Sequence, residues 1–178
     1  RLVECSEPTL LSENMKRYVG HDMKLDKEGI KLSMQSFIDQ LQPFDIKGAP
    51  TKTDFSHRRF FVEEPVPRYT QEAMEIVGKL GWLANGDYRY AFRFGHLSQF
   101  THKCDKRALD TMRRTINEII KTPLPPLEFK PIAQPELRVY VDASFGDNVG
   151  RIGWIAFLSE SVSSPKDRHT NPIAWRSI

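Results

Sequence analysis

The 178-residue chain has little cysteine and no long hydrophobic run. Its two cysteines, Cys5 and Cys104, are too few for a disulfide framework, so we expect an intracellular, reducing compartment. No Cys/His cluster has the spacing of a zinc site. No apolar run approaches the roughly 20 residues that a membrane helix needs, and the segment that follows Arg1 lacks the apolar core of a signal peptide. What remains is a globular chain of one or two domains.

The chain also has little net charge, but its cations are concentrated in one segment. The net charge is +3, whereas residues 89–121 hold eight Lys and Arg against three Asp and Glu. Such a block is typical of a nucleic-acid-binding surface, and the alternative is an ordinary solvated helix face. The residues that we predict to contact nucleic acid are Arg89, Arg93, Lys103, Lys106, Arg107, Arg113 and Arg114.

The first segment, residues 1–42, has the pattern of a hairpin followed by a short helix. Alternating apolar residues before Gly29 and a short apolar run after it predict two strands, joined by a turn in which Gly29 supplies a positive φ. Ser33 is the predicted N-cap of a helix over residues 34–41. Residues 43–68 are rich in proline and show no clear period, which favours a linker.

Residues 69–122 predict a bundle of three helices with short joins. Thr70 is the predicted N-cap of the first helix, whose apolar residues recur at helical spacing. Asp87 can cap the second helix, over roughly residues 88–101. The third helix is predicted over residues 105–121, where the following prolines end it.

The second helix of this bundle carries both cations and aromatic residues. Arg89, Arg93 and His96 follow the spacing i, i+4, i+7, which predicts one polar stripe along the helix. The aromatic residues between them could stack on bases, but the spacing favours packing in the core. These aromatic residues are Tyr88, Tyr90, Phe92 and Phe94.

The last segment, residues 136–178, predicts three β-strands. Its middle strand, residues 152–158, is apolar on both faces, which is typical of a strand with a layer on each side. Asp142 follows an alternating strand, at what the pattern predicts to be the strand end. A carboxylate so placed can hold a divalent cation, although two-metal chemistry needs several carboxylates. The alternative is that Asp142 caps a turn.

Three sets of motifs resemble a known family. Val141-Asp142-Ala143-Ser144-Phe145, followed by Gly150–Leu158 and Asn171–Ser177, resembles the opening half of the ribonuclease H domain of copia-type retrotransposons. Val77–Ala84 is similar to the helical region that precedes this domain in the same polyproteins. Tyr18–Asp22 and Gly29–Ser33 resemble the end of the reverse transcriptase palm, where the primer-grip hairpin lies.

The resemblance implies an α+β fold: a palm-end hairpin and short helix, a thumb- or connection-like three-helix bundle, and an incomplete ribonuclease H-like antiparallel sheet of three strands. Of the family's four metal-binding carboxylates, only one has a counterpart here, Asp142. It would be catalytic and would bind Mg²⁺ only if the rest of the ribonuclease H site were supplied. The polymerase's aspartate pair has no counterpart in this sequence.

We therefore expect a retroelement-derived, catalytically incomplete structural subunit of a larger ribonucleoprotein, such as a ribosome. Its partners would be RNA, at the basic segment, and one or more protein chains that cover the open sheet of residues 137–178. This expectation treats Arg1 and Ile178 as ends that fall inside domains. The main alternative is an excerpt of an active reverse transcriptase/ribonuclease H that cleaves RNA in RNA–DNA hybrids with Mg²⁺. A protein-only scaffold is a third possibility.

Overall fold

A computed structural model of the chain describes residue 14 and residues 16–46, 66–146, 149–161 and 170–177. The fold class is α+β, as predicted: the described residues form α-helices and two separate antiparallel sheets. No helix in this part of the chain is long and apolar enough to cross a membrane. Most of the predicted linker, residues 47–65, lies outside the described residues.

The first sheet has four strands, in the order β1-β2-β3-β4. The predicted hairpin is confirmed, since β2 and β3 pair antiparallel and Gly29 has a φ of +147°. β4 comes from beyond the helices and was not predicted; it pairs with β3 and places Leu127 opposite Leu32. The strands are β1 (Lys16–Tyr18), β2 (His21–Asp26), β3 (Gly29–Ser33) and β4 (Leu127–Phe129).

The helices are α1 (Gln35–Ile38), α2 (Pro67–Gly86), α3 (Ala91–Ser98) and α4 (Lys106–Lys121).

Two predicted helix starts and two predicted lengths need correction, since the helix predicted over residues 34–41 is only Gln35–Ile38. Thr70 is not an N-cap, because α2 begins at Pro67, whose fixed φ suits the first helical turn. Ser33 is not the N-cap residue of α1, which is Met34, although the Ser33 hydroxyl accepts a hydrogen bond from the Gln35 amide. The predicted second helix is divided into a 3₁₀ helix, Tyr88–Tyr90, and the short α3.

One hydrophobic core joins α1 to the three longer helices. Met34 and Ile38 are buried together with the apolar stripes of α2 and α4. Asn117 of α4 fastens the segment after α1 to this core, because its side-chain amide both donates to and accepts from the backbone of Phe44, at 2.8 Å each. The buried stripe residues include Ala73, Ile76, Val77, Leu80, Ala84, Leu109, Met112, Ile116 and Ile119.

The second sheet has three antiparallel strands in the order β5-β6-β7, as predicted. They are β5 (Pro135–Gly146), β6 (Val149–Glu160) and β7 (Thr170–Ser177). The prediction that Asp142 ends a strand is wrong, since β5 continues to Gly146 and Asp142 pairs with Gly153 inside the ladder. Asp142 therefore does not cap a turn.

The two faces of this sheet have different surroundings. Its inner face packs on the helices: the ring of Tyr88 contacts Phe157 and Trp175 edge-on at 6.0 Å, and the Trp175 indole donates to the Ala84 carbonyl at 2.6 Å. Its outer face carries large apolar side chains that are at least half exposed. These outer-face residues are Leu137, Val139, Val141 and Ile152. On β6 itself this face is less exposed, since Ala156 is buried and Trp154 and Leu158 are half-buried.

Candidate nucleic-acid interface

The outward side of α4 is a cationic surface. Asp105 starts the helix by accepting a hydrogen bond from the Ala108 amide at 2.7 Å. The apolar stripe of α4 then turns toward the core, so its polar positions face outward. We call the cations on this side, with the one just before the helix, the basic face: Lys103, Lys106, Arg107, Arg114 and Lys121.

Three residues of the basic face lie in a row. Arg107, Arg114 and Lys121 are seven residues apart, so they share one side of the helix with only a small angular drift. Successive side chains start about 10 Å apart along the axis, given a rise of about 1.5 Å per residue. A row of cations of this kind can follow a phosphate backbone. Lys121 was not among the predicted contacts, although its spacing from Arg114 was a usable signal.

Asp110, the carboxylate nearest the middle of the basic face, already forms ion pairs with neighbouring cations. Asp110 accepts from the Lys106 ammonium at 2.9 Å and from Arg113 at 3.3 Å. The Lys106 side chain nevertheless remains 73% exposed. Arg114 and Lys103 form no ion pair with any described residue. Cationic groups therefore remain on this face for an anionic partner.

Arg113, in contrast, points toward α2. Its guanidinium donates two hydrogen bonds to the carboxylate of Glu72, at 2.7 Å each, and lies 6.0 Å from the ring centre of Phe44. The hydrogen bonds to Glu72 raise the pKa of Arg113 above its ordinary value. This paired geometry joins α4 to α2, so Arg113 is not part of the basic face.

The Arg89 side chain also forms its contacts within the fold. Its guanidinium forms a two-point ion pair with the buried Asp87. It also donates a hydrogen bond to the Pro125 carbonyl. These contacts join the segment after α4 to the junction between α2 and α3. The hydrogen bonds to Asp87 raise the pKa of Arg89. Asp87 caps the 3₁₀ helix, as predicted, by accepting from the Arg89 amide.

Arg93 is half-buried, and its guanidinium lies 3.9 Å from the Glu118 carboxylate.

The predicted polar stripe of Arg89, Arg93 and His96 does not form. His96 is buried at 4% exposure, where its ring lies between Phe92, stacked at 6.0 Å, and Phe100 at 5.5 Å. The ring occupies this apolar site because α3 turns that position toward the core.

Most of the aromatic residues near the arginines pack inside the protein. Tyr90 is buried, and its hydroxyl accepts a hydrogen bond from the Leu124 amide at 3.4 Å; burial raises the pKa of this phenol. Phe94 packs against the core, and Tyr88 packs against the three-stranded sheet. Phe92 is the exception, with 57% of its surface exposed.

Asp142 lies on the inner face of β5, at a groove of about 680 Å³ between the sheet and the Tyr88–Phe92 segment. The Asp142 side chain is exposed. The described residues contain no group of three or more His, Cys, Asp or Glu that could hold a metal ion.

Comparison with known proteins returned no relative: no protein-family model, curated protein or solved structure matches the chain.

Proposed function

We propose that this chain binds RNA through the basic face of α4 and acts as a structural subunit of a ribonucleoprotein. The row of Arg107, Arg114 and Lys121 on one side of a well-packed helix carries the proposal. Contacts from such a row to phosphates give affinity without sequence specificity, and they release bound counterions. Binding of this kind suits a subunit that holds RNA in place.

The open three-stranded sheet supports the assembly part of the proposal. Its outer face exposes Leu137, Val139, Val141 and Ile152 at 50% or more. Contiguous apolar surface of this kind marks protein interfaces. A protein partner at the sheet and RNA at α4 would occupy separate surfaces of the same chain.

The test is RNA binding as a function of salt concentration. We expect the wild-type chain to bind a fluorescently labelled 30-nucleotide RNA with an affinity that falls steeply between 50 and 200 mM salt. Replacing Arg107 and Arg114 together by Ala should weaken binding about tenfold at low salt, and should make the slope of log K against log[salt] shallower by about 1.4. Fluorescence anisotropy measures both quantities.

A matched control removes two cations elsewhere. Lys16 and Lys24 lie on β1 and β2 and are exposed, so replacing both by Ala makes the same charge change away from α4. This variant should bind like the wild type. Equal losses in the two double variants would mean that only net charge matters, and no loss in either would remove α4 from RNA binding.

The alternative function has its own readout. If the chain cleaves the RNA strand of an RNA–DNA hybrid in the presence of Mg²⁺, and Asp142→Asn abolishes the cleavage, the protein is a nuclease and the structural proposal is wrong.

A further inference from the structure

β5 is a long edge strand with an open side. It pairs with β6 through all twelve of its residues and has no strand on its other side within the described part of the chain. Soluble proteins usually protect such an edge with lysines, prolines, bulges or short length. Here the only proline of β5, Pro135, is its first residue, and the middle of the strand has no lysine and carries large exposed apolar or aromatic side chains between Arg138 and Asp142. The exposed fractions there are 62% for Leu137, 54% for Val139, 58% for Tyr140 and 66% for Val141.

The opposite edge of the same sheet, β7, is instead hydrogen-bonded to the segment that follows β4. β7 carries Pro172, and its ladder with β6 is irregular near Ala156 and Phe157. The side-chain amide of Asn171 accepts from the Lys130 amide at 3.0 Å and donates to the Lys130 carbonyl at 2.7 Å. Strand addition is therefore favoured at β5 rather than at β7.

We propose that a second copy of this chain adds its own β5 to this edge, antiparallel and across a two-fold axis perpendicular to the sheet. Such an axis keeps each residue on its own face, so each side chain lies opposite one from the same face of the partner copy. With Tyr140 opposite its own counterpart, Arg138 lies opposite Asp142 of the partner subunit, and Asp142 lies opposite the partner's Arg138. On the outer face, Val139 lies opposite the partner's Val141.

Charge favours this register over its two neighbours. Arg138 already holds Glu136 at 2.6 Å on its own strand, and both share the inner face with Asp142. If the two β5 strands were centred one residue earlier, on Val139, Glu136 would lie opposite the partner's Asp142, and the two carboxylates would repel each other. Centring it one residue later, on Val141, would take Arg138 away from the partner's Asp142. The register centred on Tyr140 gives two cross-strand ion pairs, each bordered by apolar pairs.

This dimer uses the edge of the sheet whose outer face the proposed function assigns to a protein partner, and it rests on that proposal only in treating this sheet as an interface. RNA binding by α4 does not require it. The Arg107→Ala/Arg114→Ala chain should therefore dimerise like the wild type even when it no longer binds RNA, so the two proposals can fail independently.

The experiment is size-exclusion chromatography with light scattering, on RNA-free protein at micromolar concentration. The wild type should be a dimer. Arg138→Glu and Asp142→Arg should each be monomeric, with self-association at least about tenfold weaker, because each turns both ion pairs into repulsions. Mixing the two variants should restore a dimer, since every cross-strand pair in the mixed species again joins opposite charges.

The mixing step also controls for folding, because misfolded variants would not pair when combined. Val141→Lys places a charge at the middle of the edge and should be monomeric, with an unchanged circular dichroism spectrum. A monomeric wild type overturns the proposal. Two single variants that remain dimeric, or a mixture that stays monomeric, overturn the register and the edge pairing with it.

Discussion

Arg113 and Arg114 are neighbours in the chain but have different roles. Consecutive residues of a helix point about 100° apart, so Arg113 faces Glu72 of α2 while Arg114 faces outward. The sequence shows only that both are cationic. The partner that separates them lies 41 positions away, which no local pattern reveals.

Cys104 is a second residue whose chemistry depends on burial. It is fully buried beside the start of α4, and this burial raises the pKa of its thiol from 9.0 to about 11. The unfolded chain therefore releases this proton at lower pH than the folded chain does. Stability linked to Cys104 is complete below pH 9 and is lost as the pH rises from 9 to about 11.

We predict that the free energy of unfolding falls with pH in this window, with Cys104 contributing up to about 1.4 kcal/mol per pH unit. Urea unfolding at several pH values between 9 and 10.5 measures the slope. Cys104→Ala should be less stable overall because it leaves a small cavity, but its stability should depend less on pH. Equal slopes in the two proteins would show that the Cys104 thiol does not titrate differently in the folded and unfolded chains.

At the scale of the element, the β2–β3 turn is defined by two residues. The Asp26 carboxylate accepts from the amides of Glu28 and Gly29, at 2.9 and 3.1 Å. Hydrogen bonding to the Lys31 ammonium and to the Glu28 amide lowers the pKa of Asp26. Gly29 has a φ of +147°, and a Cβ atom added there would lie 2.0 Å from the Phe129 carbonyl oxygen. The turn and the pairing of β3 with β4 both need glycine at this position.

Gly29→Ala should therefore destabilise the protein by about 1–3 kcal/mol, because it strains the backbone and forces β4 away from β3. Chemical denaturation followed by circular dichroism measures the change. Gly78→Ala is the matched control: Gly78 lies within α2 with nothing within 4 Å of an added Cβ, so alanine should stabilise by about 0.5–1 kcal/mol. A Gly29 variant as stable as the wild type would contradict the close approach of β4.

At the scale of the whole molecule, two side chains join the three-stranded sheet to the rest. Trp175 binds the carbonyl of Ala84 at the end of α2, and Asn171 binds the backbone of Lys130 just after β4. The two sheets and the helices are thus connected by hydrogen bonds as well as by apolar packing.

Asn171→Asp tests this connection with almost no change of shape. The aspartate cannot donate to the Lys130 carbonyl and places negative charge beside it, so we expect a loss of about 1–3 kcal/mol. Urea unfolding followed by tryptophan fluorescence measures the loss. Gln40→Glu makes the same chemical change at an exposed position and should stay within about 0.5 kcal/mol of the wild type. Similar small effects at both positions would mean that Asn171 does not join the sheets.

Local signals predicted most elements of the fold. The apolar stripe of α2, the cap Asp87 and the turn at Gly29 depend on residues within a few positions of one another, and these predictions hold. β1 and β4 were missed because each has only three residues and exists through pairing with another strand. The length of β5 was underestimated because its ladder with β6 extends the strand past Asp142.

The sequence alone determined the α+β class, the density of positive charge in residues 89–121 and the apolar composition of β6, since composition and short-range periodicity are properties of the chain itself. Only the tertiary structure decided which of the cations remain outside. Arg89 and Arg113 became internal ion pairs, whereas Arg107 and Arg114 stayed on the basic face. It also decided that β5 is the open edge of its sheet and β7 the fastened one. The physical reason is that ion pairing and strand order depend on partners that lie far apart in the chain and meet only in the folded protein.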